Sequence, residues 1–160
     1  MSTERKHAFV EYLEGLSEDR TALAALRLGL GQPPGYAPSM FPYIVPFVST
    51  KAGRWEEEAH YIVASLFGLH PVSTSSGNMG SHFGVLCAKG SDQNPVERRF
   101  ITLLASHPED LSFYLRQAVS LLKSKEVAVN WHQLMWDVLY WNNPDQRARV
   151  SKQWAREFWS

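Results

Sequence analysis

The sequence predicts an all-α protein, two small packed helical bundles with little or no sheet. Three observations predict it. Apolar residues recur at the three- and four-residue spacing that lays one stripe along a helix. Ser, Asn and Pro open these segments, while Gly or His-Pro closes them. No stretch shows sustained period-two alternation bounded by turns. No internal repeat is present.

The first helix is expected from about Thr3 to Glu14, with Phe9, Val10, Leu13 and Leu16 on its apolar side and Gly15 at its end. Ser17 is placed to cap the second, with Glu18 and Asp19 favourable against the helix dipole. Leu23, Leu26 and Leu30 line that helix, Gly31 closes it, and Arg27 sits near its C-terminus. A Pro/Gly loop over 31–38 leads to a short apolar helix, Ser39 to Phe47, which Pro46 should end or kink. A longer helix is expected over Arg54 to Phe67, burying Trp55, Ala59, Ile62, Val63 and Leu66. Val72 to Gly80 reads as a mobile surface loop, with Ser81 capping a short helix, His82 to Lys89. Gly90-Ser91-Asp92-Gln93 is the boundary between the halves, residues 1–92 and 93–160.

The second half begins with the best-signed helix start in the chain. In Asn94-Pro95-Val96-Glu97, Asn94 can cap, Pro95 suits the first helical position, and Glu97 can reach back. At about 100° per residue, Val96, Phe100, Leu103 and Leu104 form one stripe, leaving Arg98 opposite it and Arg99 on its flank. The next helix starts at His107-Pro108 and runs to about Leu122, with Leu111, Leu115, Ala118, Leu121 and Leu122 inward and Arg116, Ser120 and Lys123 outward. Asn130 caps a helix from Trp131 to Asn142 that is apolar almost all round, as a central or shared helix would be. Asn143-Pro144 opens the last, with Val150, Trp154 and Phe158 inward and Arg149, Lys152 and Arg156 outward.

Composition narrows the function. The 160 residues are 44% hydrophobic and 20% charged, which suits a globular chain of one domain or two small ones. No apolar run is long enough to span a bilayer and Met1 to His7 lacks a signal-peptide core, so the expected location is cytoplasmic. The single cysteine, Cys87, excludes an internal disulfide and sits in an apolar context typical of an inert thiol. Net charge is zero; residues 1–92 carry seven Lys/Arg against nine Asp/Glu, and residues 93–160 nine against seven.

Candidate chemistry is sparse. Glu56 and His60 could meet on one helix face, but the pair is an incomplete metal site and reads as an ion pair or cap. No Gly-x-Ser-x-Gly elbow is present, and the serines at 73, 75 and 76 read as loop residues. Gly29-Leu30-Gly31 with Pro33-Pro34-Gly35 follows a helix and lacks the amides and Lys-Ser/Thr of a phosphate loop. No catalytic residue, metal ligand or cofactor site is expected. What remains is cationic: Arg98 with Arg99, Arg116 with Lys123 and Lys125, Arg149 with Lys152 and Arg156, and the isolated Arg27. Such clusters suit phosphate contact without base reading.

Taken together, four segments resemble the CasB family, the small subunit of the type I-E CRISPR Cascade surveillance complex. They are Leu23-Ala24-Ala25-Leu26-Arg27-Leu28-Gly29, Tyr43-Ile44-Val45-Pro46-Phe47, Glu97-Arg98-Arg99-Phe100-Ile101-Thr102-Leu103-Leu104, and Asn130-Trp131-His132-Gln133-Leu134-Met135-Trp136 with Trp141. Their order and spacing carry the resemblance across nearly the whole chain. It implies an all-helical, non-enzymatic antiviral-defence protein that acts as a pair of like subunits among other Cascade proteins. It further implies backbone contacts, without sequence preference, that steady the guide RNA–target DNA hybrid and the displaced DNA strand. Arg27 and Arg99 match the family's basic positions best, Arg98 follows from the paired-Arg motif, and Arg116 and Lys123 rest on helix geometry. Many relatives place a second basic residue after the Arg27 position, where this chain has Leu28. The competing reading is a helical scaffold that binds only proteins, through Trp136 and Tyr140. A metal-dependent hydrolase is the third class, and the sequence offers it no complete ligand set.

Overall fold

The computed structural model describes residues 5–160. Among them the regular structure is helical, and the one extended pairing is a single parallel bridge between Ser73 and Val129. The all-α expectation therefore holds.

Helix α1 (Ala8–Glu14) is capped by His7, whose Nδ1 accepts the Phe9 N–H at 3.1 Å. Thr3, the expected start, lies outside the described residues. Helix α2 (Arg20–Arg27) is capped by Asp19 rather than Ser17, its Oδ1 accepting the Ala22 N–H at 3.0 Å. The expected helix over 39–47 divides into a 3-10 turn (Pro38–Met40), the single turn α3 (Phe41–Ile44), and a second 3-10 turn (Val45–Phe47). Pro38, Pro42 and Pro46 each open one piece; lacking amides, they interrupt the hydrogen-bond ladder every four residues. Helix α4 (Arg54–Leu69) buries an unbroken run from Ala59 to Gly68.

Helix α5 (Met79–Ala88) starts three residues before the expected position because Asn78, not Ser81, is the cap. Asn78 Oδ1 accepts from the amides of Gly80 and Ser81, and Ser81 Oγ accepts the Asn78 N–H at 2.7 Å. The preceding segment is tied down over 72–74, contrary to the mobile-loop reading. The Thr74 amide donates to Val129 O at 3.0 Å, and the Val129 amide donates to Val72 O at 3.1 Å. Helix α6 (Gln93–Leu104) is capped by Asp92, two residues before Asn94, and buries Val96, Phe100 and Leu103 as the periodicity predicts. Glu97 accepts from Trp159 Nε1 at 3.1 Å instead of reaching back to the cap. Helices α7 (Pro108–Ser124), α8 (Trp131–Tyr140) and α9 (Pro144–Phe158) begin where expected.

Helix α8 lies at the centre. It packs on α1, α4 and α9, while α5 lies along α9 and α2 along α4. The buried side chains form one cluster drawn from both sides of position 92. A tryptophan can be buried at low cost only if its N–H finds an acceptor. Here all six do: Trp55 to Val138 O, Trp131 to Val72 O, Trp136 to Arg5 O, Trp141 to Ser106 O, Trp154 to Asp137 Oδ2, and Trp159 to Glu97. These bonds fix the packing angles that area burial alone leaves loose. Gly80 sets the α5–α9 approach: a Cβ there would overlap the Trp154 carbonyl oxygen and stand 2.7 Å from its carbon.

Buried histidines act as struts. His82 Nε2 accepts the Asn130 amide at 2.9 Å, and burial lowers its pKa to about 4. His70 Nε2 donates to Val127 O at 2.7 Å. His60 is buried and its Nδ1 donates to Glu56 O at 2.7 Å, so this pair, expected as an ion pair or cap, is a side-chain-to-backbone bond. His132 Nδ1 accepts the His7 amide at 2.9 Å, which leaves its Nε2 to donate to Glu14 at 2.9 Å.

Candidate nucleic-acid interface

The stripe that buries Val96, Phe100 and Leu103 aims Arg98 and Arg99 away from the core, and both are exposed. They border a cleft of about 150 Å³ between α6 and α7, completed by Phe83, Thr102, Tyr114, Gln117 and Ala118. No carboxylate lines this cleft. Thr102 Oγ1 donates to the Arg98 carbonyl at 3.0 Å. Two cations, a phenol and an amide around a shallow opening make a donor-rich surface. It can hold an anionic oxygen through charge-assisted hydrogen bonds.

The structure separates the other sequence-predicted cations from this pair. Arg116 precedes Gln117 by one residue, which turns it about 100° round α7 and into another cleft. It lines a cleft of about 430 Å³ with Gly31, Tyr61, Phe113, Glu58 and Glu109. Its Nη1 lies 2.9 Å from where a Gly31 Cβ would stand. Arg27 ends α2 and donates from Nη1 to Gly68 O at 3.1 Å, satisfying a carbonyl in the last turn of α4. Lys123 is exposed in the last turn of α7, favourable against the helix dipole. None of the five forms an ion pair within 4.0 Å among the described residues; the pairs found there are Arg54–Glu58 and Glu14–His132.

Sequence reading missed Arg5, whose guanidinium stacks 3.7 Å from the Trp136 ring centroid and donates to Tyr140 Oη at 2.6 Å. The aromatic face offered by the scaffold reading is thus half-buried beneath a cation. A contact spanning 135 positions leaves no local signal. Among the described residues, no group of three or more His, Cys, Asp or Glu side chains is placed to hold a metal. No described helix is long and apolar enough to cross a membrane. Cys87 is half-buried, and desolvation raises its thiol pKa.

Comparison with known proteins agrees with the sequence resemblance. The family model for CRISPR-associated protein Cse2 matches residues 22–159. A CRISPR-associated protein Cse2 of Thermus thermophilus is 35% identical over 157 residues, covering 98% of this chain and 89% of its own. The crystal structure of a Cse2-family protein from Thermus thermophilus superposes with a TM-score of 0.81 at 33% identity, over 94% of this chain and 95% of that one. CasB from M. ruber gives 0.76 at 30% identity, over 95% and 90%. A chain of a CRISPR RNA-guided surveillance complex shares the fold, with a TM-score of 0.81 at 23% identity over 94% and 89%. The chain belongs to the CRISPR-associated Cse2 family, whose members are also called CasB.

Proposed function

We propose that this chain is a non-catalytic subunit of a CRISPR RNA-guided surveillance complex that holds nucleic-acid backbone without reading sequence. The observation that carries the proposal is the α6–α7 cleft, where Arg98 and Arg99 stand exposed with Tyr114 and Gln117 and no carboxylate opposes them. Arginine forks bind phosphate oxygens in the plane of the guanidinium and are indifferent to the base. Specificity would then come from pairing between guide RNA and target DNA, with this chain steadying the hybrid and the displaced strand. Arg27, Arg116 and Lys123 are proposed as supplementary contacts on other faces. The role needs no cofactor, and the cytoplasm is its expected place.

A second copy and other Cascade subunits are the proposed protein partners. The segment 28–50 favours such contacts: it contains no charged residue, and Leu28, Tyr36, Phe41, Val45 and Phe47 on it are all exposed. The test reverses charge at Arg98 and Arg99 to Glu in the reconstituted complex, alongside Arg99→Glu with Arg116→Glu. Normal assembly with weakened target DNA binding is expected. Normal assembly with unchanged DNA binding would leave the protein-scaffold reading in its place.

A further inference from the structure

Residues 5–7 lie as a strap across α8. Trp136 Nε1 donates to the Arg5 carbonyl at 3.2 Å, while the Arg5 guanidinium covers the Trp136 ring and reaches Tyr140 Oη. The His7 ring meets Trp136 edge-on, with centroids 4.6 Å apart. The strap thus roofs the Trp136–Tyr140 pair, whose rings stack at 6.5 Å. Two imidazoles fasten it. His132 Nδ1 accepts the His7 amide at 2.9 Å, and His7 Nδ1 accepts the Phe9 amide at 3.1 Å as the cap of α1. Each nitrogen is an acceptor only while its ring is neutral. A proton on either ring sets one N–H against another, and at His7 it also removes the helix cap.

The fastening is asymmetric. His132 Nε2 donates to Glu14, at the far end of α1, at 2.9 Å, and a protonated His132 keeps that contact as an ion pair. Protonation therefore loosens the N-terminal end of α1 and leaves its C-terminal end held. The surrounding charges work the same way. His60 from α4, with its ring centroid 6.1 Å from that of His7, joins His132 from α8 and Arg5 from the strap around His7. Among the described residues, the carboxylate bonded to this group is Glu14, which sits on His132 and not on His7. Burial first, then His60, His132 and Arg5, lower the His7 pKa from 6.5 to about 4. The closed strap resists a proton that a released His7 accepts. Its stabilisation is present above pH 6.5 and is lost as pH falls towards 4.

We propose that residues 5–9 are an acid-released strap: protonation of the His7/His132 pair frees them from α8 and uncovers Trp136 and Tyr140, with α1 pivoting on Glu14. The test is amide hydrogen exchange of the full chain, read by NMR from pH 7.5 to pH 4 and divided by the intrinsic rate at each pH. The His7 and Phe9 amides report the two fastenings directly, and the buried run of α4 from Ala59 to Gly68 reports the fold as a whole. In the wild-type chain, protection of the first pair relative to the second should fall by up to about tenfold per pH unit below pH 6.5. His7→Asn keeps a capping oxygen for the Phe9 amide without a ring to titrate. His132→Asn offers an oxygen to the His7 amide in the same way. Each variant should flatten the fall, and the two together should abolish it. A wild-type ratio that stays constant with pH would overturn the proposal. So would loss of protection in both segments together, which is global unfolding, or the wild-type fall persisting in every variant that folds.

Discussion

Replacing Asp137 by Asn should remove a pH dependence of stability that the core carries. Asp137 is 3% exposed in the contact between α8 and α9. Its Oδ2 accepts from Trp154 Nε1 at 2.7 Å and its Oδ1 from Gln133 Nε2 at 2.9 Å. Burial disfavours the carboxylate and raises its pKa from 3.8 to about 7; the two hydrogen bonds and the charge of Arg149 offset only part of this. The native state therefore keeps a proton, between pH 4 and 7, that the unfolded chain has already lost. Stability contributed by this group is full below pH 4 and falls as pH rises towards 7. At ~1.4 kcal/mol per pH unit over that span, the loss is on the order of 4 kcal/mol, an upper figure for a buried group. The D137N amide can keep both contacts: its oxygen accepts from Trp154, and its NH₂ donates to Gln133 once that side-chain amide turns over. Urea unfolding of both proteins from pH 4 to pH 8 measures the difference. Wild type and D137N should be close at the acid end, with D137N gaining stability over wild type as pH rises. A difference that stays constant across the range would refute the reasoning and place a stable carboxylate in the core.

Three further outcomes follow from the packing. G80A forces α5 off the Trp154 backbone. A loss of about 1–3 kcal/mol is expected in chemical denaturation, with the overlap falling on main chain that cannot step aside. His82 gives a pH dependence of the opposite sign to Asp137. Its pKa is lowered from 6.5 to about 4, so its stabilisation is present above pH 6.5 and is lost as pH falls towards 4. H82Q should flatten that acid limb in the same titration. N130A removes the α8 cap to Gln133 and the bond to Gly77 O, and a melting curve should report a loss of about 1–2 kcal/mol.

The elements most legible in the sequence were those whose signals are local. The stripe of Val96, Phe100 and Leu103 is buried as its period requires, and the helix over 131–140 is central as its uniform apolarity requires. Helix starts were less legible where several capping residues compete. Asp92 and Asn94 both suit an N-cap, and proline is tolerated anywhere in a first turn, so the choice fell to tertiary packing. At Asn78 and Ser81, the residue read as the cap is the reciprocal partner of the true one. Long-range contacts left no trace: the 72–74 segment is ordered by Val129, more than fifty positions away. For the cations, helical geometry set Arg98 and Arg99 outward correctly. Only the packing of α6 on α7 could show that Tyr114 and Gln117 join them while Arg116 faces another cleft.

The central claim is that Arg98 and Arg99 hold phosphate. Its most direct test is the salt dependence of target DNA binding by the reconstituted complex carrying either the wild-type chain or R98A/R99A. Each phosphate contact contributes about 0.7 to 0.9 to the slope of log affinity against log salt. The double variant is predicted to bind more weakly and to lose between about 1.4 and 1.8 of that slope. Parallel lines for the two complexes, at equal affinity, would contradict the account.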